Sequence, residues 1–301
     1  MANTLLTKLD NQSKNNTRLY IIGGIILFGI GISVWFNSLY LNPTNMFWDM
    51  FSNNLSTNGF TTSQKYFNGS YNINQKTQIA LAGDNYAHTI TTLSQVGASV
   101  TTEEISSPNY EYVKYLNISS NKKNAANKSI NYTKDLNIWG YGKNYNNASQ
   151  QIKETFYKTL FSILPLANLS TTQRNDLISY AKSHKVYTID NKINKQTING
   201  VHVDTLSVKV NRSVYIGMME LFAKDVNFLG LGNVSPKQYE KLPAITVQIS
   251  IDPISRNLVK INSGSALNAS SYSGFGVNPL YKLPTKTIDL QVLEARIRSK
   301  N

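Results

Sequence analysis

The stretch from Leu19 to Leu41 constrains this chain more than any other, because it is almost entirely apolar. Between Leu19 and Phe36 there is no charged residue, and Ser33 is the only strongly polar side chain. At ~1.5 Å per residue this run reaches roughly 27 Å, close to the thickness of the hydrocarbon core of a bilayer. The sequence therefore predicts a transmembrane helix at 19–41. Its predicted anchor residues are Ile21, Ile25, Phe28, Ile32 and Trp35.

Charges on either side of this run predict its orientation. Lys8, Lys14 and Arg18 precede it, whereas the next basic residue after it is Lys65. Basic residues stay on the cytoplasmic side, so we expect residues 1–18 inside and a domain at 42–301 outside a single-pass protein of the cell membrane. The alternative is a cleaved secretory signal, which has a shorter apolar core and a small-x-small cleavage site. No such site follows this run, so the sequence favours an uncleaved signal anchor.

Composition excludes several kinds of chemistry. The chain has no cysteine, which rules out thiol catalysis, disulfides and cysteine-ligated zinc. Its net charge is +13, but the lysines are dispersed. For a domain outside the cell we expect attraction to anionic lipid head groups or to the envelope surface, and no nucleic-acid partner. The alternative is that the charge reflects only a Lys- and Asn-rich residue usage.

The periodicity of apolar residues changes several times along the predicted domain. After Pro43, the spacing of Phe47, Met50, Phe51 and Leu55 predicts a helix. From 60 to 139, alternating and β-branched segments separated by turn signals predict an antiparallel meander. A polar stretch at 119–135 interrupts it and is expected to be a loop.

The second half of the domain predicts helices followed by strands. Helices are expected around 152–164, 171–181 and 215–226, the second opened by a capping box from Ser170 to Gln173. Strands are expected at 186–189 and 201–210 and in a hairpin at 244–261. A last short helix is predicted from Ile288, Val292 and Ala295. The predicted fold class is α+β: an N-terminal transmembrane helix, then one curved, half-barrel-like antiparallel sheet covered by helices.

Two strand segments, Ile198–Val210 and Leu242–Asp252 with its continuation to Ile261, follow a pattern that resembles a known family. Together with the opening helix, they are similar to the LolA/LppX-like lipoprotein and lipid-carrier fold of the LppX/LprG type, over about 46–262. The resemblance implies a half-open barrel with helices in its concavity, and a lipid or lipoprotein ligand. The chain has the predicted anchor helix in place of the lipidated cysteine of that family, which argues against a freely diffusing shuttle but not against a tethered receiver or sensor.

We find no pattern of residues that predicts catalysis. His88, His184 and His202 share no metal-ligand spacing, and Glu103 and Glu104 are neighbours on a predicted strand, where successive side chains point to opposite faces. No nucleophile elbow is present. We therefore expect a non-enzymatic protein without catalytic residues, metal or cofactor.

The apolar faces of the predicted helices offer a binding function instead. Large side chains on these faces can line a cavity suited to acyl chains, or can pack on the sheet and leave none. The candidates are Phe47, Phe51, Phe156, Leu160, Tyr215, Met218 and Phe222. The predicted function is a membrane-anchored extracytoplasmic binding protein for a lipid or lipidated protein at the bacterial cell envelope. The alternative is a scaffold subunit of an envelope complex, with a nuclear-transport-factor-like cone domain and protein partners.

Overall fold

A computed structural model describes residues 42–67, 69–83, 85–123, 127–143, 155–228, 236–264 and 269–300. Its helices are α1 (Pro43–Asn54), α2 (Thr155–Leu160), α3 (Thr171–Ser183), α4 (Arg212–Asp225) and α5 (Leu290–Arg298). The first six strands are β1 (Gly59–Phe67), β2 (Asn72–Ala80), β3 (Tyr86–Gln95), β4 (Ala98–Ser106), β5 (Tyr110–Ser120) and β6 (Trp139–Lys143). The other six are β7 (Tyr187–Ile198), β8 (Val201–Val210), β9 (Ile245–Ile251), β10 (Leu258–Asn262), β11 (Ala269–Ser273) and β12 (Ile288–Asp289).

Within these ranges the strands form a single twelve-stranded sheet in the order β12-β6-β5-β4-β3-β2-β1-β11-β10-β9-β8-β7. Neighbouring strands are antiparallel except β12 and β6, which pair in parallel through Ile288 with Gly140 and Asp289 with Tyr141. The meander β1–β6 and the group β7–β10 are joined by β11, which lies between β1 and β10. One short strand from late in the sequence therefore makes two groups of strands into one sheet.

The structure corrects the predicted fold class and localisation. No helix in the described part of the chain is long and apolar enough to cross a membrane. The longest of them, α4, has 14 residues and includes charged side chains. The predicted N-terminal transmembrane helix, and with it the single-pass placement in the cell membrane, is thus overturned. The stretch behind that prediction, 19–41 with Ile21, Ile25, Phe28, Ile32 and Trp35, lies outside the described residues.

The predicted proportion of strands also needs correction. Strands dominate the described residues, and β6, β11 and β12 arise where the sequence shows little alternation. Gly140 and Gly142 interrupt the apolar pattern of β6, and β11 is a run of small polar residues, AlaSerSerTyrSer. Such segments are poor strand formers by themselves and depend on pairing with neighbours already in place.

The two faces of the sheet differ in what covers them. We call the face that carries Phe60, Ile79 and Ala87, which are cross-strand partners, the helix face. Helices α1 to α4 pack there with β7–β11 and the adjoining ends of β1–β3 into one large apolar core. Helix α5 packs on the same face at the other edge, where Tyr132, Leu293 and Ile297 form a second, small cluster. The opposite side, the open face, carries Ser63, Glu103 and Lys260.

Local signals explain where several elements begin. The Asn42 side chain accepts hydrogen bonds at the start of α1, and Pro43 occupies the first turn, where its missing N–H costs nothing. The capping box predicted at Ser170 and Gln173 is confirmed. The predicted last helix is found at Leu290–Arg298, with Leu293 and Ile297 buried and Val292 45% exposed. Ile288 belongs to β12 and not to the helix.

A segment without regular structure, residues 274–287, links β11 to β12 and is called the strap here. The backbone N–H of Gly276 donates to the carbonyl of Gly59 at 3.0 Å, and the Asn278 amide donates to the carbonyl of Ala82 at 3.0 Å. The ring of Tyr281 lies over His88 on the open face, with centroids 4.1 Å apart. A Cβ atom at Gly59 would collide with the carbonyl of Val277, so this close approach requires glycine.

Candidate functional site

A cavity of about 150 Å³ lies at the end of the helix layer, and we call it the end cavity. It is bounded by α2, by the segment 167–169, by the start of α3 and the end of α4, and by the turns after β2 and β4. Its lining residues are Leu81, Asn85, Pro108, Phe156, Leu160, Ala167, Asn168, Leu169, Gln173, Asp225, Val226 and Asn227. The lining is thus apolar on the core side and polar around the mouth.

The apolar wall of the end cavity comes from helix geometry. Phe156 and Leu160 are four residues apart on α2, so they lie on one side of the helix, and each is only 2% exposed. Leu169 and Ala167 continue this wall on the segment that follows α2. The carbonyl of Leu55 accepts a hydrogen bond from the N–H of Leu169 at 2.8 Å, which ties the segment to the end of α1.

The polar mouth contains a carboxylate. One side-chain oxygen of Asp225, Oδ2, is buried and has no hydrogen-bond partner among the described residues. Burial, helped by the nearby Asp176 carboxylate, raises the pKa of Asp225, against smaller opposing effects of Gln173 and Lys224. A group that donates a hydrogen bond or carries positive charge would satisfy this oxygen, whereas an anionic group would be repelled.

Two tyrosines, Tyr187 (buried) and Tyr215 (partly buried), hold the chain directly after α2, and we call them the tyrosine clasp. The hydroxyl of Tyr215 donates to the carbonyl of Ser162 at 2.7 Å, and that of Tyr187 donates to the carbonyl of Ile163 at 2.7 Å. Burial raises the pKa of both hydroxyls, so they remain protonated donors over the physiological range. The clasp fixes the C-terminal side of α2 to β7 and α4.

Aromatic ring contacts hold one side of α2. The ring of Tyr157 lies 4.5 Å from that of Phe228, and Phe161 lies 5.1 Å from Phe228 and 5.2 Å from Phe222. Such contacts stabilise the packing of α2 through the apolar area they bury and through edge-to-face geometry. They tolerate a small displacement of the helix better than a hydrogen bond does.

The structure separates the seven candidates predicted from the sequence into two groups. Phe156 and Leu160 line the end cavity. The others belong to the main core: Met218 and Phe222 are fully buried on α4, and Tyr215 is part of the clasp. Phe47 and Phe51 are fully buried on α1, where their rings lie 5.2 and 5.5 Å from the ring of Tyr187.

Sequence reasoning missed the polar mouth. Gln173 was recognised only as part of the capping box, although its side-chain amide also donates to the Asp225 carbonyl at 3.4 Å. Asn168 and Asp225 are 57 positions apart along the printed sequence, and no local pattern relates them. Their shared position depends on how α2, α3 and α4 pack.

A charged cluster lies on the open face, away from the end cavity. His88 Nε2 is 2.9 Å from Glu103 Oε1, and Lys114 Nζ is 2.5 Å from Glu103 Oε2 and 4.5 Å from the centre of the Trp139 ring. Burial acts to raise the pKa of Glu103, but the hydrogen bonds and charges of Lys114 and His88 together outweigh it and lower the pKa. The described residues contain no group of three or more His, Cys, Asp or Glu able to hold a metal ion.

Comparisons with known proteins give weak structural similarity to a solved structure. No protein-family model and no curated protein matches the chain. Among solved structures the chain is similar to LprF from Mycobacterium bovis, at 10% sequence identity and a TM-score of 0.37, over 80% of this chain and 95% of that one. This match confirms the weak resemblance to the LppX/LprG-type lipoproteins predicted from the sequence. A similarity of this size says nothing about what the chain binds.

Proposed function

We propose that this protein binds, without catalysis, a ligand with an apolar tail, such as an acyl lipid or a lipid-modified protein. The observation that carries the proposal is the opening of two almost fully buried apolar side chains, Phe156 and Leu160, onto the end cavity. An apolar cavity of about 150 Å³ can hold a ligand the size of benzene. The end cavity therefore has room for the last few carbons of an acyl chain.

A whole lipid tail needs more space than this, because drug-sized ligands occupy pockets of roughly 300–1,000 Å³. Helix α2 is the element that can provide it, since its described part spans six residues and aromatic ring contacts hold one side of it. The tyrosine clasp keeps its C-terminal end in place. We therefore expect α2 to move outward about the clasp when a tail enters, which would extend the cavity toward Phe161 and Phe222.

The polar mouth of the end cavity determines which polar groups a ligand can carry next to its apolar tail. The Asp225 carboxylate, with its unpartnered Oδ2, lies beside the amides of Asn168 and Gln173. Hydroxyl, amide or ammonium groups can donate to these oxygens, whereas a phosphate or carboxylate would face a buried carboxylate. The proposed ligand thus has a neutral or cationic polar group close to the tail.

The test is binding of a fluorescent acyl amide by the purified full-length protein, together with lipid extraction and native mass spectrometry. Ala167→Leu adds three carbons to a cavity wall and should lower the affinity at least about tenfold. Val292→Trp, a bulky change at a 45% exposed position on α5, is the matched control and should leave the affinity unchanged. Circular dichroism checks that both variants fold. Equal binding by wild type and Ala167→Leu, with no lipid in the extract, would refute the proposal.

Protein–protein interaction is a second candidate function, favoured by the strap. Its apolar side chains are unusually exposed: Val277 by 61%, Leu280 by 90% and Leu283 by 41%. Neighbouring exposed apolar residues mark contact surfaces more often than isolated ones do. Chemical crosslinking in cells with Leu280→Ser and Val277→Ser separates the two functions. A lost crosslinked partner with unchanged acyl-amide binding would place the interaction surface on the strap.

A further inference from the structure

A larger cavity, of about 410 Å³, lies on the open face across β1, β10 and β11. Its polar lining comes from Ser63, Lys65, Asn199, Lys260, Ser271 and Ser273, and we call it the lysine–serine groove. Asn199 belongs to the β7–β8 turn, where Asn199 and Gly200 both have positive φ, as a tight two-residue hairpin turn requires. The groove is independent of the end cavity, which lies on the helix face.

The register of four strands explains why these side chains converge. Lys260 pairs with Ser271, Ser271 with Ser63, and Ser63 with Lys76, so the four form one row across β10, β11, β1 and β2. Paired residues share a face, and neighbouring strands are ~4.8 Å apart. Two hydroxyl groups therefore lie side by side with a lysine on each flank. Lys65, two residues after Ser63 on β1, points to the same face.

These donors have no acceptors within the described part of the protein. Neither Lys65, Lys76 nor Lys260 forms an ion pair there, and no acidic residue lines the groove. The same row of paired residues continues across the sheet to β5. There Lys114 forms an ion pair with Glu103 on β4, so its charge is neutralised, unlike the charges of the groove lysines. The groove concentrates part of the net positive charge of the chain around a set of hydroxyl donors.

We propose that the lysine–serine groove binds the phosphate group of a small ligand. A phosphate offers several anionic oxygens, and ammonium and hydroxyl groups donate to them in charge-assisted hydrogen bonds. Ser63 and Ser271, on adjacent strands, are placed to donate to two oxygens of one phosphate, with Lys65 and Lys260 on the same ion. The phosphate belongs either to a soluble phosphate ester or to a phospholipid head group.

Titration calorimetry of the full-length protein at low salt tests this site, with glycerol 3-phosphate and inorganic phosphate as probes. We expect saturable binding of one phosphate, weakened at least tenfold in the double variant Lys65→Gln/Lys260→Gln. The matched control is Lys209→Gln, which removes an exposed lysine on β8 that does not line the groove. Ser271→Ala removes a hydroxyl without changing charge and should also weaken binding, so a folding defect of the double variant leaves the test intact.

Sedimentation with lipid vesicles distinguishes the two sources of phosphate. Anionic phosphatidylglycerol vesicles are compared with phosphatidylcholine vesicles as the control. Binding of glycerol 3-phosphate that depends on the groove assigns it to a soluble ester, whereas groove-dependent binding to the anionic vesicles alone assigns it to a lipid head group. A loss in Lys209→Gln equal to that in the double variant would overturn the proposal, because it would show unspecific charge attraction. The absence of saturable binding to both soluble probes and to the anionic vesicles would overturn it as well.

Discussion

The two ends of the sheet are built from similar strands but stabilised in different ways. Around β7–β11, helices α1 to α4 cover the helix face and bury a continuous core that includes Phe51, Leu206 and Phe222. Around β4–β6, α5 and the segment around Tyr132 cover the sheet, in a cluster whose buried members are Tyr132, Leu293 and Ile297. Burial of apolar area is the main source of folding free energy, so the first end should carry most of the stability.

The middle of the meander relies on polar contacts instead. Thr89 donates to Thr77 at 3.0 Å on the helix face, and Thr92 and Thr101 are hydrogen-bonded at 3.2 Å on the open face. Cross-strand pairs of this kind contribute roughly 0.2–1 kcal/mol each. The helix-covered end therefore contributes most of the apolar burial, whereas cross-strand hydrogen bonds stabilise the middle of the meander.

The largest effect on stability is expected from truncating a core side chain, and one such variant at each end of the sheet allows the two ends to be compared. Phe222→Ala removes a fully buried ring from the main core and should cost about 3–5 kcal/mol of unfolding free energy. Leu293→Ala, at an equally buried position in the small cluster, should cost about 2 kcal/mol, since fewer fixed neighbours surround it and the site can collapse. Urea denaturation followed by circular dichroism measures both. A larger loss in Leu293→Ala than in Phe222→Ala would contradict the comparison.

An intermediate effect is expected at the tyrosine clasp. Tyr215→Phe keeps the ring but deprives the carbonyl of Ser162 of its donor, which should destabilise the fold by about 1–3 kcal/mol. Tyr112→Phe on β5 is the matched control, because its hydroxyl makes no hydrogen bond within the described residues, and it should change stability by less than about 0.5 kcal/mol. Thermal unfolding of the two variants checks this. Equal melting temperatures would mean that the clasp contributes nothing.

The smallest effect concerns the charged cluster of the meander and depends on pH. The folded-state pKa of Glu103 lies below its ordinary value of 4.5, so its charge stabilises the fold above that pH. This contribution is lost as the pH falls through the folded-state pKa. The difference in unfolding free energy between wild type and Glu103→Gln should therefore shrink as the pH falls below about 4.5.

Lys114→Met is the control for that experiment, because it removes the ion-pair partner of Glu103. In its background, Glu103→Gln should show a weaker dependence on pH. Partial exposure of the Glu103 side chain, 21%, keeps all these differences small through solvent screening. A constant difference between wild type and Glu103→Gln over the whole range would show that the cluster does not stabilise the meander.

Several elements could be predicted from the sequence because their signals are local. The spacing of Phe47, Met50 and Phe51 predicted α1, the Ser170–Gln173 capping box predicted the start of α3, and two apolar runs predicted the β9–β10 hairpin. The turn types and periodicities involved depend on residues within one or two turns of each other. The hydropathy of residues 19–41, in contrast, led to the prediction of a membrane helix, and no such helix is found among the described elements.

Other features depend on contacts between distant segments and had no local signal. Strand β11 is polar and short, and it exists because β1 and β10 each offer it an unpaired edge. The end cavity likewise combines Phe156 with Asp225, which no periodicity connects.

By itself, the amino-acid sequence determined the helices and hairpins that local capping, turns and apolar periodicity specify, and it excluded cysteine chemistry. Tertiary structure alone decided the order of the strands, the cover on each end of the sheet and the two cavities. The physical reason is that pairing and burial act between segments far apart in the chain. A polar strand such as β11 or a lone carboxylate such as Asp225 acquires its role only from those neighbours.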